Sequence, residues 1–194
     1  MVKQDKEIKE KIIHAATELI KQYGNTSKIT VRDIAASAGV GIGLINYHFQ
    51  TKDNLINLCT LELIRHSIEQ LGTFGQNKEI APIDQMKTLG RGITAFMIMN
   101  PGVSRISITK DFVSPGEADN SVQVVKMFSP IARTICGNAK SDLELYQLLH
   151  MLVSSIEAAF LRKDVLKGTF GIDIENAEQR DRLVDFFIDQ LFSK

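Results

Sequence analysis

Cysteine is scarce in this chain of 194 residues. Cys59 and Cys136 are its two thiols, far apart and each inside a predicted helix, a placement that fits neither a disulfide framework nor a metal-ligand spacing. Both read as buried reduced thiols. Histidine is equally sparse: His14, His48, His66 and His150 are scattered without ligand spacing, and no G-x-S-x-G occurs. No nucleophile with its base, carboxylate pair or metal cluster is legible, so the sequence predicts no enzyme, no catalytic residue, no metal and no cofactor. No apolar run approaches the roughly 18 residues that cross a bilayer, and the opening MVKQDKEIKE is too polar for a secretory signal. The expectation is a cytoplasmic protein with no membrane partner. Strand-like alternation and internal repeats are also missing, which leaves an all-α chain.

What is present is an ordinary globular composition, 44% hydrophobic and 24% charged, enough for one or two compact domains. The net charge is zero but unevenly placed. Up to residue 52, Lys3, Lys6, Lys9, Lys11, Lys21, Lys28, Arg32 and Lys52 face Asp5, Glu7, Glu10, Glu18 and Asp33, an excess of three positive charges. That asymmetry points to a polyanionic partner for the N-terminal segment, although solvated helix faces alone also produce it.

Residues 6–23 place Ile8, Ile12, Ala15, Ala16, Leu19, Ile20 and Tyr23 on one face, and Gly24 supplies a stop. Thr30 stands at an N-cap with Asp33 in the first turn, and a short helix ends at Gly39. Residues 41–49 form a further two-turn helix. Thr51 caps a long helix through LINLCTLELIRHSIEQLG, about 30 Å at 1.5 Å per residue and long enough to link two domains. Beyond Gly72, helices are predicted from Pro82 to the break at Pro101 and Gly102, on to about Phe112, over 121–136, over Ser141 to Lys163, and over Asn176 to Phe192, with a loop at 114–121.

The stretch GVGIGLINYHF, residues 39–49, is not a phosphate loop. An amphipathic helix precedes it where a strand is needed, the G-x-G-x-x-G spacing fails, and no Lys-Ser or Lys-Thr follows. It suits a helix-turn-helix, which needs a small residue where the helices cross and one tolerating positive φ at the turn. Ala35 and Gly39, four apart, sit there. Val40, Ile45 and Phe49 then anchor the second helix, leaving Ile42, Leu44, Asn46, Tyr47 and His48 to face outward, an apolar row that calls for a partner.

The run ITVRDIAASAGVGIGLINYHFQTKDNL, residues 29–55, resembles the DNA-binding domain of the TetR family of bacterial transcriptional regulators. The likeness lies in the T-V-R-D-I-A start, the A-G-V turn, the G-x-x-x-Y-H-F of the recognition helix and the lysine three residues beyond. It covers about a quarter of the chain; the rest is similar in length and all-helical layout. The resemblance implies that Tyr47 and His48 contact the DNA backbone and that Lys52 meets a phosphate. Core packing for Tyr47 and a solvated charge for Lys52 remain the plainer readings. Thr30 offers its hydroxyl and nearby amides to a phosphate, and Arg32 lies where a base edge is within reach. Gly41, Ile42 and Leu44 depart from the family pattern, since none donates a hydrogen bond from its side chain. Ile42 and Leu44 can press on thymine methyls while the glycines let the backbone approach, so readout leans on Arg32, Asn46 and DNA shape.

Between Leu145 and Leu161 the chain is apolar on nearly every side, and Leu183 to Phe192 carries more than one stripe. Such helices need cover on two faces, and the resemblance implies a homodimer through helices 141–163 and 176–193 reading a palindromic operator. Phe96, Met97, Met99, Phe112, Met127 and Phe128, with Tyr146 and His150, are candidate walls for a small apolar or amphipathic effector. A Met and Phe stripe serves a plain core equally well, and so does a lone His150. The expected architecture is an N-terminal three-helix domain, 1–52, joined by a long helix to an all-helical ligand-binding and dimerisation domain, 53–194. The expected function is a DNA-binding regulator of the TetR type, a repressor by family default, released by ligand. The alternative is a ligand-independent architectural or nucleoid-associated DNA binder of the same fold.

Overall fold

A computed structural model describes residues 2–23, 26–74, 80–117 and 119–193. The described residues are helical and contain no strand. The helices are α1 (Val2–Tyr23), α2 (Val31–Ala38), α3 (Ile42–Phe49), α4 (Lys52–Phe74), α5 (Pro82–Met99), α6 (Pro101–Val113), α7 (Asn120–Cys136), α8 (Asp142–Leu161), α9 (Lys163–Phe170) and α10 (Ala177–Phe192). They divide into two compact units, Met1–Arg65 with Asn100–Thr109, and His66–Met99 with Lys110–Lys194.

In the first unit, the predicted stripe of α1 buries Ile12, Ala15, Ala16 and Ile20. Ile34 and Ala35 of α2, Ile45 and Phe49 of α3, and Leu55, Ile56 and Cys59 of α4 are buried in the same unit. The Cys59 thiol points at the Ile13 carbonyl, 3.6 Å away. Burial pushes that thiol above its ordinary range, so it is a packed side chain with little thiolate to react.

The second unit is built on α5, α7, α8 and α10. Met86, Leu89, Ile93, Phe128, Leu149, Leu152, Val184 and Ile188 are among the buried residues of one core, each larger side chain contributing roughly 2 kcal/mol. Gly90 lets α5 and α10 close, because a Cβ there would lie 2.8 Å from Cγ1 of Val184. Two ion pairs flank that contact, Lys87 with Asp189 at 2.7 Å and Arg91 with Asp185. Ser141 and Glu144 cap α8 reciprocally.

The chain departs from the predicted helix over 141–163. It turns at Arg162, so that α8 ends at Leu161 and Lys163 opens α9. No glycine or proline marks that break, which is why the sequence reads as continuous. Gly171, at φ 70°, then closes α9. No helix among the described residues is long and apolar enough to cross a membrane.

Candidate nucleic-acid interface and cavity

The surface around α3 is assembled from local rules. Thr30 is extended, and its hydroxyl accepts the Asp33 amide at 3.2 Å while the Asp33 carboxylate accepts the Thr30 N–H at 2.8 Å. The Thr30 hydroxyl also donates to the same carboxylate. The bond from the Thr30 hydroxyl, and then that from the Thr30 N–H, hold the Asp33 carboxyl below its ordinary range. A phosphate approaching Thr30 would therefore meet a carboxylate, and the cap satisfies α2 itself. Gly39, at φ 66° and ψ 34°, ends α2 in the left-handed conformation that glycine enters without strain. Gly41 is extended and leads α3 without a side-chain cap.

Helix α3 buries Ile45 and Phe49 and exposes Ile42, Leu44, Asn46 and Tyr47, the last 74% exposed. His48 does not face outward as expected. Its side chain is 5% exposed, with Nε2 3.6 Å from an Asp5 carboxylate oxygen on α1. The reason is helical spacing: three residues after Ile45, position 48 lies on the inner face. Tyr47 rests its ring edge-on against His48 at 5.1 Å.

Arg32 is exposed on the second residue of α2. Lys52 opens α4 and donates to the Ile29 carbonyl at 3.1 Å, so its half-buried ammonium is held beside the α2 cap. Thr51 caps α4 through the Asn54 amide at 3.1 Å. A groove between α1 and α2 is lined by Glu7, Glu10 and Glu18 together with Lys11, His14, Ser37 and Ala38, and Lys6 and Lys21 pair with Glu10 and Glu18, so its charge is mixed.

In the second unit, a cavity of about 570 Å³ opens among α6, α7 and α8. Of the eight wall residues expected from the sequence, Phe112, Tyr146 and His150 line it. Phe128 is instead fully buried in the core, with Met97 and Met127 packed against that core. Met99 is exposed, and Phe96 is half-buried away from the cavity walls. A stripe at helical spacing serves the nearest apolar neighbour first, and here that neighbour is α8 or α10.

Sequence reasoning passed over the cavity's polar floor. Asp111, Ser121 and Glu157 meet there, the Ser121 hydroxyl lying 2.8 Å from Asp111 and 2.7 Å from Glu157. Burial pushes the Glu157 carboxyl up to about 7, the neighbouring Asp111 charge adding to the rise and the Ser121 bond opposing it. The available signal was an acid inside SSIEAAFL, a segment otherwise fit for a core. Among the described residues, no group of His, Cys, Asp and Glu can hold a metal.

Residues 12–59 match the family of bacterial regulatory proteins named tetR. No curated protein matches the chain in sequence. Over its whole length, the fold is similar to a TetR transcription regulator from Haloarcula marismortui, at TM-score 0.67 and 18% identity, covering 97% of this chain and 100% of the other. A TetR transcriptional regulator from Rhodococcus sp. RHA1 is similar at TM-score 0.62 and 18% identity, over 97% and 98%. FadR from Bacillus subtilis, solved in complex with stearoyl-CoA, is similar at TM-score 0.64 and 16% identity, over 95% and 97%. The N-terminal helices thus match the tetR family over residues 12–59, and the all-helical fold as a whole is similar to that of solved TetR regulators.

Proposed function

We propose that the protein is a cytoplasmic homodimeric repressor that binds a palindromic operator and lets go of it when a small molecule enters the second unit. The observation that carries this reading is the outward row on α3: Ile42, Leu44, Asn46 and Tyr47 are exposed together, an apolar and polar mixture suited to a groove. We assign DNA binding to residues 1–52, with Arg32, Gly41 and Lys52 flanking that row and Thr30 contributing as the cap that fixes α2. His48 acts from beneath by supporting Tyr47. Residues 53–194 are assigned to effector binding and dimerisation.

Tyr146 and Met151 on α8 and Phe186 on α10 are exposed, which supports pairing of helices 141–163 and 176–193 with a second copy. A two-fold dimer sets its recognition helices about one DNA turn apart, or a multiple of it. Helix α4 belongs to both units, so an effector that favours one position of α4 changes the spacing of the two heads.

Selection of random DNA by the purified protein at near-physiological salt tests the reading. An inverted repeat is expected. Absence of any enriched sequence, with binding that vanishes as salt rises, overturns it in favour of an architectural DNA binder. The observation favouring that second reading is the front of α3, where Gly41, Ile42, Gly43 and Leu44 carry no side-chain donor.

A further inference from the structure

The cavity floor has an imbalance of hydrogens and of charge. Asp111 is 8% exposed and Glu157 5%. Asp111 Oδ2 accepts both the amide and the hydroxyl of Ser121, at 3.0 and 2.8 Å, whereas its Oδ1 is buried with no hydrogen-bond partner. A buried carboxylate oxygen without a donor is costly to maintain. The Ser121 oxygen also lies 2.7 Å from Glu157 Oε1. Its single hydrogen cannot serve both carboxyls, so one of the two must carry an acid proton, and burial, which raises Glu157, favours that carboxyl as the holder.

The other titratable groups on this cavity are Asp119 from the loop before α7, Lys126 from α7, and Tyr146 and His150 from α8. Asp119 is committed, one oxygen taking the Gly116 amide at 2.6 Å. Lys126 is exposed. Asp111 and Asp119 against one outward lysine leave the interior negative even while Glu157 holds its proton. Around that floor the walls are apolar, supplied by Phe112, Pro115, Val122, Val125 and Val153.

We propose that this cavity takes a small amphipathic cation, an organic primary amine in its ammonium form, with its N–H groups on Asp111 and Glu157 and its apolar body against Phe112, Val122 and Val125. An ammonium supplies the donor that Asp111 Oδ1 lacks. Its charge also favours the ionised form of Glu157, so binding expels a proton near neutral pH and tightens as pH rises through 7. The inference rests on the reading of this cavity as the effector site.

Calorimetric titration of the full-length protein with octylamine, octanol and octanoate tests it, since the three share a chain and differ in head group. Octylamine is expected to bind at least about tenfold more tightly than the other two, and Asp111→Asn to weaken it by at least about tenfold. Titration in buffers of different ionisation enthalpy at pH 7 should detect proton release, abolished in Glu157→Gln and retained in His150→Gln. Equal or tighter binding of octanoate or octanol overturns the inference, as does an Asp111→Asn protein with unaltered affinity for octylamine. Phe112 is exposed, so Phe112→Lys is tolerated by the fold and keeps the test open if Asp111→Asn does not fold. It should repel octylamine, and undiminished binding again overturns the inference. Operator DNA separates the two readings. Octylamine that binds but leaves the operator complex intact supports the ligand class and removes ligand release; release by octanoate and not by octylamine does the reverse.

Discussion

The Phe49 carbonyl accepts the Thr51 amide at 2.7 Å across a single residue, Gln50, which is held at φ 65° and ψ −53°. That is the geometry of a tight γ-turn, strained for any residue with a Cβ. It redirects the chain from α3 into α4 within two residues, which places Lys52 beside the α2 cap. Gln50→Gly relieves the strain but loosens the unfolded chain, and the net expectation is a gain of about 1 kcal/mol. Urea unfolding of the full-length protein measures it, and a loss of stability would show that the turn carries no strain. Gln50→Pro, with φ fixed near −65°, should abolish DNA binding.

The closeness of Gly90 to Val184 makes a second expectation. Gly90→Ala improves helix propensity by about 1 kcal/mol, yet its Cβ would sit 2.8 Å from Val184 and 3.2 Å from Ile188. Overpacking of this kind costs about 1–3 kcal/mol, so a net loss of about 1 kcal/mol is expected. Adding Val184→Ala removes the clash, and the double variant should lose less than the two single losses combined. Strict additivity would mean that α5 and α10 can part freely.

On the DNA face, the buried position of His48 separates residues that the sequence grouped. Lys52→Ala should weaken binding to all sequences alike and reduce the slope of log affinity against log salt by about 1. His48→Ala should leave that slope unchanged and lower the thermal midpoint, because its ring supports Tyr47 and faces Asp5 inside the unit. Asn46→Ala should relax preference at particular base pairs. An unchanged slope in the Lys52 variant removes it from the phosphate contacts.

For the pairing of subunits, Phe186 is the sharpest probe, since it is 56% exposed on α10 while Val184 and Ile188 beside it are buried. Phe186→Asp should yield a monomer in sedimentation with its fold intact, and with weakened operator binding. A variant that sediments as the parent does would place any pairing surface elsewhere.

The elements that obeyed local rules were legible in the sequence. Thr30, Asp33 and Gly39 fix α2 through a cap and a left-handed stop, and Asn176 and Ser141 do the same for the starts of α10 and α8. What failed depended on tertiary neighbours. The break at Arg162 has no sequence marker, and Phe128 and Met97 found a core where a cavity wall was expected; the inward His48, by contrast, follows from its spacing after Ile45 and was open to a stricter reading. Glu157 was passed over among apolar neighbours, although an acid in such a helix is the costlier residue and therefore the more informative one.

That same carboxyl gives a pH signature. The Glu157 pKa is raised from 4.5 to about 7 in the folded protein by burial. Below 4.5 both folded and unfolded chains hold the proton; between 4.5 and 7 the folded chain keeps a proton that the unfolded chain has lost. Its contribution to stability is therefore greatest at the acid end and falls as pH rises through that window, by up to about 3 kcal/mol, levelling off above it. Glu157→Gln keeps a neutral hydrogen-bonding group beside Ser121 and has no proton to lose. Relative to the parent, this variant should gain stability from pH 5 to pH 7 and level off towards pH 8, read as the difference between unfolding free energies at each pH. The carboxyls held low by their partners, Asp33, Glu144, Asp173 and Asp189, lose their contribution as pH falls through their lowered values, outside this window and equally in both proteins. A pH-independent difference would mean that water reaches Glu157 in the folded state and that its proton is not shared with Ser121.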